Sequence, residues 1–172
     1  MSGLKPKLLI EGETRRGKTL LTRIIADLLS AYGGPRGLYI IDFAPNVGGV
    51  GSPLTPPPGA KYVRPRGLRA PRLESRGDCR VAWRLALHNA SLTSEALLGY
   101  LSDPRPALII NDATIHLHAG SPRLMVEALR TSRVAVVNAY MGSRLGDRCG
   151  VSERERWALR IIEGEVGWVW RL

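Results

Sequence analysis

Eight residues near the start of the chain constrain its fold more than any other feature: Gly12-Glu13-Thr14-Arg15-Arg16-Gly17-Lys18-Thr19. Residues 7–11 before them read as a short apolar strand. Residues 17–32 after them read as an amphipathic helix, with Leu20, Leu21, Ile24, Ile25, Leu28 and Leu29 recurring at three- and four-residue steps. A strand that turns through two glycines into a helix brings backbone amides to the helix N-terminus, where the dipole favours an anion. Gly12 and Gly17 allow the tight turn and the close approach of a phosphate. Lys18 would bridge the β- and γ-phosphates of a triphosphate, and the Thr19 hydroxyl would ligate Mg2+. Glu13, Thr14, Arg15 and Arg16, with Leu20 in the first helical turn, complete the candidate nucleotide contacts.

The rest of the chain alternates between strands and helices. Gly33-Gly34-Pro35 stops the first helix, and residues 38–42 form a second apolar strand. A strand–helix–strand unit of this length implies parallel pairing through a crossover. Residues 78–101 read as largely helical with a break near Asn89. Residues 107–111 are a strand ending at Asp112, and Ser121-Pro122 opens another helix. Residues 133–138 read as a strand. Ser152 and Glu155 match a capping box opening a helix to about residue 163, and residues 166–170 read as a final edge strand. The expected fold class is α/β: a three-layer α/β/α sandwich with a mainly parallel sheet, in one domain over residues 1–172.

Residues 44–77 break the alternation. Pro45, Pro53, Pro56, Pro57, Pro58, Pro65 and Pro71 interrupt any helix, apart from a brief strand expected near residues 61–64. Long excursions within compact domains are often lids or binding loops. Arg64, Arg66, Arg69, Arg72 and Arg76 make this one a basic arm.

In its strand–helix setting the octapeptide resembles the phosphate-binding loop (Walker A) of the P-loop NTPases. The resemblance implies the P-loop NTPase fold, nucleoside triphosphate binding and a magnesium requirement; the specific match covers only the first third of the chain. Asp42-Phe43-Ala44-Pro45-Asn46 is similar to the second-strand motif of partition-type ATPases and their relatives, dethiobiotin synthetase and metallochaperone GTPases among them. That resemblance implies that Asp42 sits by the γ-phosphate or the magnesium, positioning the attacking water or a switch segment, while Asp112 completes the metal shell. Partition ATPases carry a lysine directly after the first loop glycine. Glu13 stands there here, and Glu13-Thr14 is nearer the Asp-Thr of dethiobiotin synthetase, so no intersubunit lysine is implied. Arg15 and Arg16 are either charge donors to a transferring phosphoryl group or solvated loop arginines.

Asn138 ends the strand Val134-Ala135-Val136-Val137, and its amide offers both donor and acceptor to a nucleotide base. A turn residue before Gly142 is the equal alternative. No Asn-Lys-x-Asp occurs, so ATP is the expected nucleotide, with GTP still admissible.

Lys and Arg number 25 against 15 Asp and Glu, a net charge of +10, and arginine supplies 21 of the cations. Such a surplus admits nucleic acid, acidic lipid and phosphorylated metabolites as partners. The arginine bias and the absence of glutamine fit a GC-rich or heat-adapted genome equally well. Cys79 and Cys149 are too few for a disulfide scaffold; a single bridge is admissible in a heat-adapted organism, and two buried or idle thiols are the leading expectation. His116 and His118 alternate as neighbours on one face of a strand would, and read as loop or core polar residues. Trp157, Trp168 and Trp170 lie close together near the C-terminus, and a packed aromatic cluster and an interface explain them equally well. No apolar run approaches the roughly 20 residues that a bilayer needs. The N-terminus shows no export signal, so a cytoplasmic location is expected.

Three functions follow as expectations. The first is a small Mg2+-dependent NTPase (a hydrolase) acting as a switch, possible homodimers included. The second is a small-molecule or nucleotide kinase, with the basic arm closing over a phosphorylated acceptor. The third is a nucleotide-regulated module that binds nucleic acid or protein.

Overall fold

The computed structural model describes residues 6–146 and 148–172. In chain order its elements are β1 (Lys7–Gly12), α1 (Lys18–Gly33), β2 (Leu38–Asp42), β3 (Lys61–Val63), α2 (Pro71–Glu74), α3 (Cys79–Ser102), β4 (Ala107–Asn111), α4 (Thr114–Leu117), α5 (Pro122–Thr131), β5 (Val134–Tyr140), α6 (Val151–Glu163) and β6 (Trp168–Arg171). The six strands make one sheet in the order β3-β2-β4-β5-β1-β6. Every neighbouring pair is parallel, a stricter result than the mainly parallel sheet expected from sequence.

The central strands are near-continuous apolar runs because helices cover both their faces. Leu9, Ile41, Leu108, Ile110 and Val137 point to one side, where Leu97 and Tyr100 of α3, Met125 and Leu129 of α5, and Leu159 and Ile162 of α6 pack on them. Ile10, Ile40, Ile109 and Val136 point to the other side, beneath Leu21, Ala26, Ile25 and Leu29 of α1. Ile109 has no solvent exposure, so truncation to Ala would cost about 2–5 kcal/mol. Among the described residues no helix is long and apolar enough to cross a membrane.

Three local expectations are corrected. Cys79 and Cys149 are joined in a disulfide that ties the start of α3 to the approach to α6. Asn89 does not break α3. Buried inside that helix, its Oδ1 accepts from Arg69 N at 2.9 Å and its Nδ2 donates to Arg69 O at 2.8 Å, anchoring the basic arm. Ser152 does not cap α6: the N-cap is Gly150, and Glu155 is drawn away to a buried ion pair with Arg72. His116 and His118, on and just after the short helix α4, are buried, as core polar residues would be.

Candidate functional site

The Gly12–Thr19 segment connects the C-terminal end of β1 to the start of α1. Gly12 has φ 155°, and a Cβ there would run into the backbone carbonyl of Leu172, so the position admits no side chain. Gly17 is the N-cap of α1 at φ 82°, and Arg15 lies at φ 61°. Left-handed residues alternating with ordinary ones curl successive amides toward a concave side, the geometry of an anion nest. The first turn of α1 carries no acidic residue to neutralise its positive end.

Lys18 bends back over the loop. Its Nζ donates to the carbonyl of Gly12 at 2.8 Å and to that of Glu13. Desolvation lowers its pKa, and the charges of Asp112 and Glu13 draw it back up. A desolvated ammonium held by two carbonyls is poised to exchange them for phosphate oxygens, which carry more negative charge. Thr19 and Leu20 follow on the same turn. Both line the mouth, and Leu20 is largely exposed.

Glu13 faces elsewhere. Its carboxylate accepts from the amides of Ser143, Arg144 (3.1 Å) and Thr14 (3.3 Å). Desolvation opposes the charge, but the amides of Arg144, Ser143 and Thr14 outweigh it and hold the carboxyl below its ordinary range. Glu13 therefore pins the turn after β5 to the loop.

A cavity of about 280 Å³ opens against this loop, bounded by Thr14, Arg15, Arg16, Gly17, Lys18 and Thr19 on one side. Its other walls come from the Pro/Arg-rich segment (residues 49–52 and 70–73), from Asp112, and from His118, Asn138 and Tyr140. Asp112 sits one residue beyond β4 at φ 56°, a strained conformation for a residue with a side chain. It is held there by two hydrogen bonds: its amide donates to Asn138 Oδ1 at 2.7 Å, and Thr114 Oγ1 donates to its Oδ1 at 2.7 Å. Burial pushes the Asp112 carboxyl up, while the Thr114 hydroxyl, His118 and Lys18 pull it down. The Pro/Arg-rich segment comes close to it. A Cβ built on Gly51 would lie 3.1 Å from Asp112 Oδ2, and one on Gly49 would lie 3.8 Å from an Arg15 guanidinium nitrogen.

Asp42 is not brought to this cavity. The strand order places β2 three steps from β1, about 14 Å at the usual strand spacing. Its carboxylate is instead filled from four sides: by Ala44 N (2.9 Å) and Asn111 Nδ2 (2.7 Å) at Oδ1, and by Leu54 N (2.6 Å) and Tyr62 Oη (2.8 Å) at Oδ2. With no solvent exposure and every nearby donor committed, Asp42 anchors the root of the Pro/Arg-rich segment and does not line the cavity as a magnesium ligand would.

Asn138 is likewise spent within the protein. Nδ2 donates to Thr22 Oγ1 at 2.9 Å and to Asn111 Oδ1 at 2.6 Å, while Oδ1 accepts from Asp112 N. Its amide thus has a supporting role within the protein, in place of the base contact or the turn role that the sequence left open. A polar rail therefore crosses the sheet under α1: Lys18 O, Thr22, Asn138, Asn111, Asp42. Fully satisfied buried polar networks of this kind fix one arrangement.

The far wall holds residues whose role in the site the sequence did not show. Arg72 donates to Glu155 Oε2 at 2.6 Å, to Ser152 Oγ at 3.0 Å and to Leu145 O at 3.2 Å, and its guanidinium lies 4.8 Å from the Tyr140 ring centroid. His118 Nε2 meets the same Glu155 oxygen at 2.8 Å. Pro71, expected to interrupt any helix, instead starts α2, the helical turn that carries Arg72, because a proline is tolerated in the first turn.

No family model and no curated protein matches the chain.

The chemistry of the cavity suits a hard cation bound together with phosphate. Thr19 and Asp112 supply oxygen, the donor that magnesium prefers, and magnesium commonly takes one or two protein oxygens and fills its shell with phosphate and water. Among the described residues no three His, Cys, Asp or Glu side chains cluster as a metal cage.

Proposed function

We propose that the chain binds a nucleoside triphosphate, ATP in preference, together with Mg2+, and hydrolyses it, with the Pro/Arg-rich segment responding to the nucleotide as a switch. The observation that carries this reading is that Lys18, Asp112 and residues 49–52 share one cavity at a curled, glycine-bounded helix start. The loop amides and Lys18 would grip the phosphate tail. Thr19 and Asp112 would hold Mg2+, which when bound neutralises the β- and γ-oxygens. Gly49 and Gly51 lie against Arg15 and Asp112, so charge arriving at the loop is felt directly by the segment rooted at Asp42. Switch segments order around a γ-phosphate in this manner.

A second reading, phosphoryl transfer to a small acceptor, is favoured by one feature: the cavity continues past Asp112 to Arg72, His118 and Tyr140.

Phosphate release from ATP tests the first reading. Lys18→Ala and Asp112→Asn should each lower turnover by about 100-fold or more while leaving the fold intact. Turnover unchanged in both variants would remove the proposal. ADP release that rises only when a candidate acceptor is added would select the second reading.

A further inference from the structure

The Cys79–Cys149 disulfide ties together two segments that are rich in arginine. Residues 75–88 run from the end of α2 into α3 and carry Arg76, Arg80 and Arg84, while residues 142–150 lead into α6 and carry Arg144 and Arg148. The bridged Cα atoms are 5.0 Å apart, so the backbones of Arg80 and Arg148, each next in the chain to a bridged cysteine, are neighbours in the fold. A second tie lies one turn further along α3, where Trp83 Nε1 donates to Cys149 O at 2.9 Å. Arg84 follows Trp83 and stands about 6 Å along the helix from Arg80.

Like charges gathered in this way repel one another, and those at a four-residue step on a helix weaken it. Five arginines elsewhere are each matched by an acid: Arg23 by Asp27, Arg69 by Glu74, Arg72 by Glu155, Arg130 by Glu165 and Arg171 by Glu11. Arg76, Arg80, Arg84 and Arg148 are exposed, and among the described residues none of their guanidiniums meets a carboxylate or a carbonyl. Arg144 answers the charge of Glu13 and is set apart from these four. Within the two segments the acids are Asp78 and Asp147. Asp78 spends its Oδ1 on the amides of Arg80 and Val81 as the cap of α3, and Asp147 lies outside the described residues. Glu153, on the first turn of α6, is the next acid along the chain and pairs with none of the four.

We infer that the surface joined by this disulfide docks the phosphate backbone of a nucleic acid, with Arg76, Arg80, Arg84 and Arg148 pairing with its phosphates. Charge complementarity is the first reason. Unmatched cations held together by a covalent bond lose their mutual repulsion when an anion lies across them, and the net charge of +10 draws a polyanion in from a distance. Layout is the second. The four lie along a helix and the turn beside it, and none lines the cavity at the phosphate loop, so the fitting ligand is extended and charged at every unit. Residue type is the third. All four are arginines, whose planar forks meet phosphate oxygens two at a time. Trp83 sits between Arg80 and Arg84, partly exposed and pinned by Cys149 O. An aromatic ring among guanidiniums suits a stacked base, which an acidic peptide does not bring. The inference uses neither nucleotide nor magnesium and stands apart from the reading of the cavity.

Fluorescence anisotropy of short random-sequence oligonucleotides, single-stranded and duplex, titrated with the full chain over a range of salt concentrations tests it, with no nucleoside triphosphate or magnesium present. The wild type should bind, and the logarithm of its affinity should fall linearly with the logarithm of salt. Arg80→Ser, Arg84→Ser and Arg148→Ser alter exposed positions, so each should keep the wild-type circular dichroism, weaken binding and reduce the salt slope by about 1. Arg36→Ser, exposed in the turn before β2 and outside the patch, should leave affinity and slope unchanged. Absence of salt-sensitive binding by the wild type overturns the inference. So does binding that all three patch variants leave intact, or that Arg36→Ser weakens as much. Displacement of the oligonucleotide by polyglutamate of equal charge would assign the surface to an acidic protein and overturn it as well.

Discussion

Arg72 and Glu155, 83 residues apart in the chain, meet in a buried ion pair at 2.6 Å, with side chains only 7% and 3% exposed. The pair joins α2, the inner end of the Pro/Arg-rich segment, to α6, and His118 shares the same Glu155 oxygen. It is the contact that holds the far wall of the cavity against the body of the protein.

Removing one partner of this pair leaves the other charge desolvated and alone. Arg72→Ala should therefore destabilise the fold by about 3–5 kcal/mol, whereas Arg72→Met combined with Glu155→Leu should cost much less. Urea denaturation of the three proteins measures the difference. Equal losses in the single and double variants would show that packing, not the stranded charge, sets the cost.

Asp42 should matter to stability more than to chemistry. Asp42→Ala strands two backbone amides, a Tyr62 hydroxyl and an Asn111 amide, each worth about 1 kcal/mol or more when left unpaired. The denaturation midpoint should fall, while turnover per folded molecule stays within a few-fold of wild type. A wild-type midpoint with abolished turnover would instead put Asp42 in the catalytic machinery.

The disulfide should contribute measurably. Cys79 and Cys149 are 70 residues apart, and closing a loop of that length removes about 4 kcal/mol of unfolded-state entropy in the chain-entropy account. Cys79→Ser with Cys149→Ser should lower stability toward that amount, and adding reductant to the double variant should change nothing further.

His116 gives the fold a dependence on pH. Burial lowers its pKa from 6.5 to about 4, with the Ser121 carbonyl opposing the shift and Arg154 adding to it. Nε2–H donates to Ser121 O at 3.0 Å, and Nδ1 lies 2.8 Å from Thr93 Oγ1, whose own proton goes to Asn89 O at 2.7 Å. Above pH 6.5 both folded and unfolded states are neutral, and this residue leaves stability unchanged. As pH falls from 6.5 toward 4 only the unfolded chain takes the proton, so stability drops by up to about 3 kcal/mol. Unfolding free energies of wild type and His116→Gln across that window measure the contribution. The variant should show the shallower slope, and parallel curves would assign the acid sensitivity to other groups.

Periodicity made most of the fold legible. Apolar runs without alternation announced strands covered on both sides, and the four-residue steps of Leu21, Ile25 and Leu29 announced α1. What stayed hidden was determined by pairings across long sequence separations. Strand order is one such property: nothing local to residues 38–42 shows that β4 and β5 come between β2 and β1, and that order keeps Asp42 from the loop. Asn89 and Glu155 were misread for the same reason. A turn-forming amide in one and a capping carboxylate in the other are the local preferences, and Arg69 and Arg72 override them from 20 and 83 residues away. Gly12, Gly17 and Lys18 were legible because one contiguous segment carries their whole geometry.

The most direct test of the nucleotide reading is calorimetric titration of the full chain with ATP and with GTP, each with and without Mg2+, repeated on Lys18→Ala. The account predicts saturable binding that requires Mg2+, favours ATP and disappears in the variant. Absence of binding to either nucleotide, or binding of equal strength in Lys18→Ala, would contradict it.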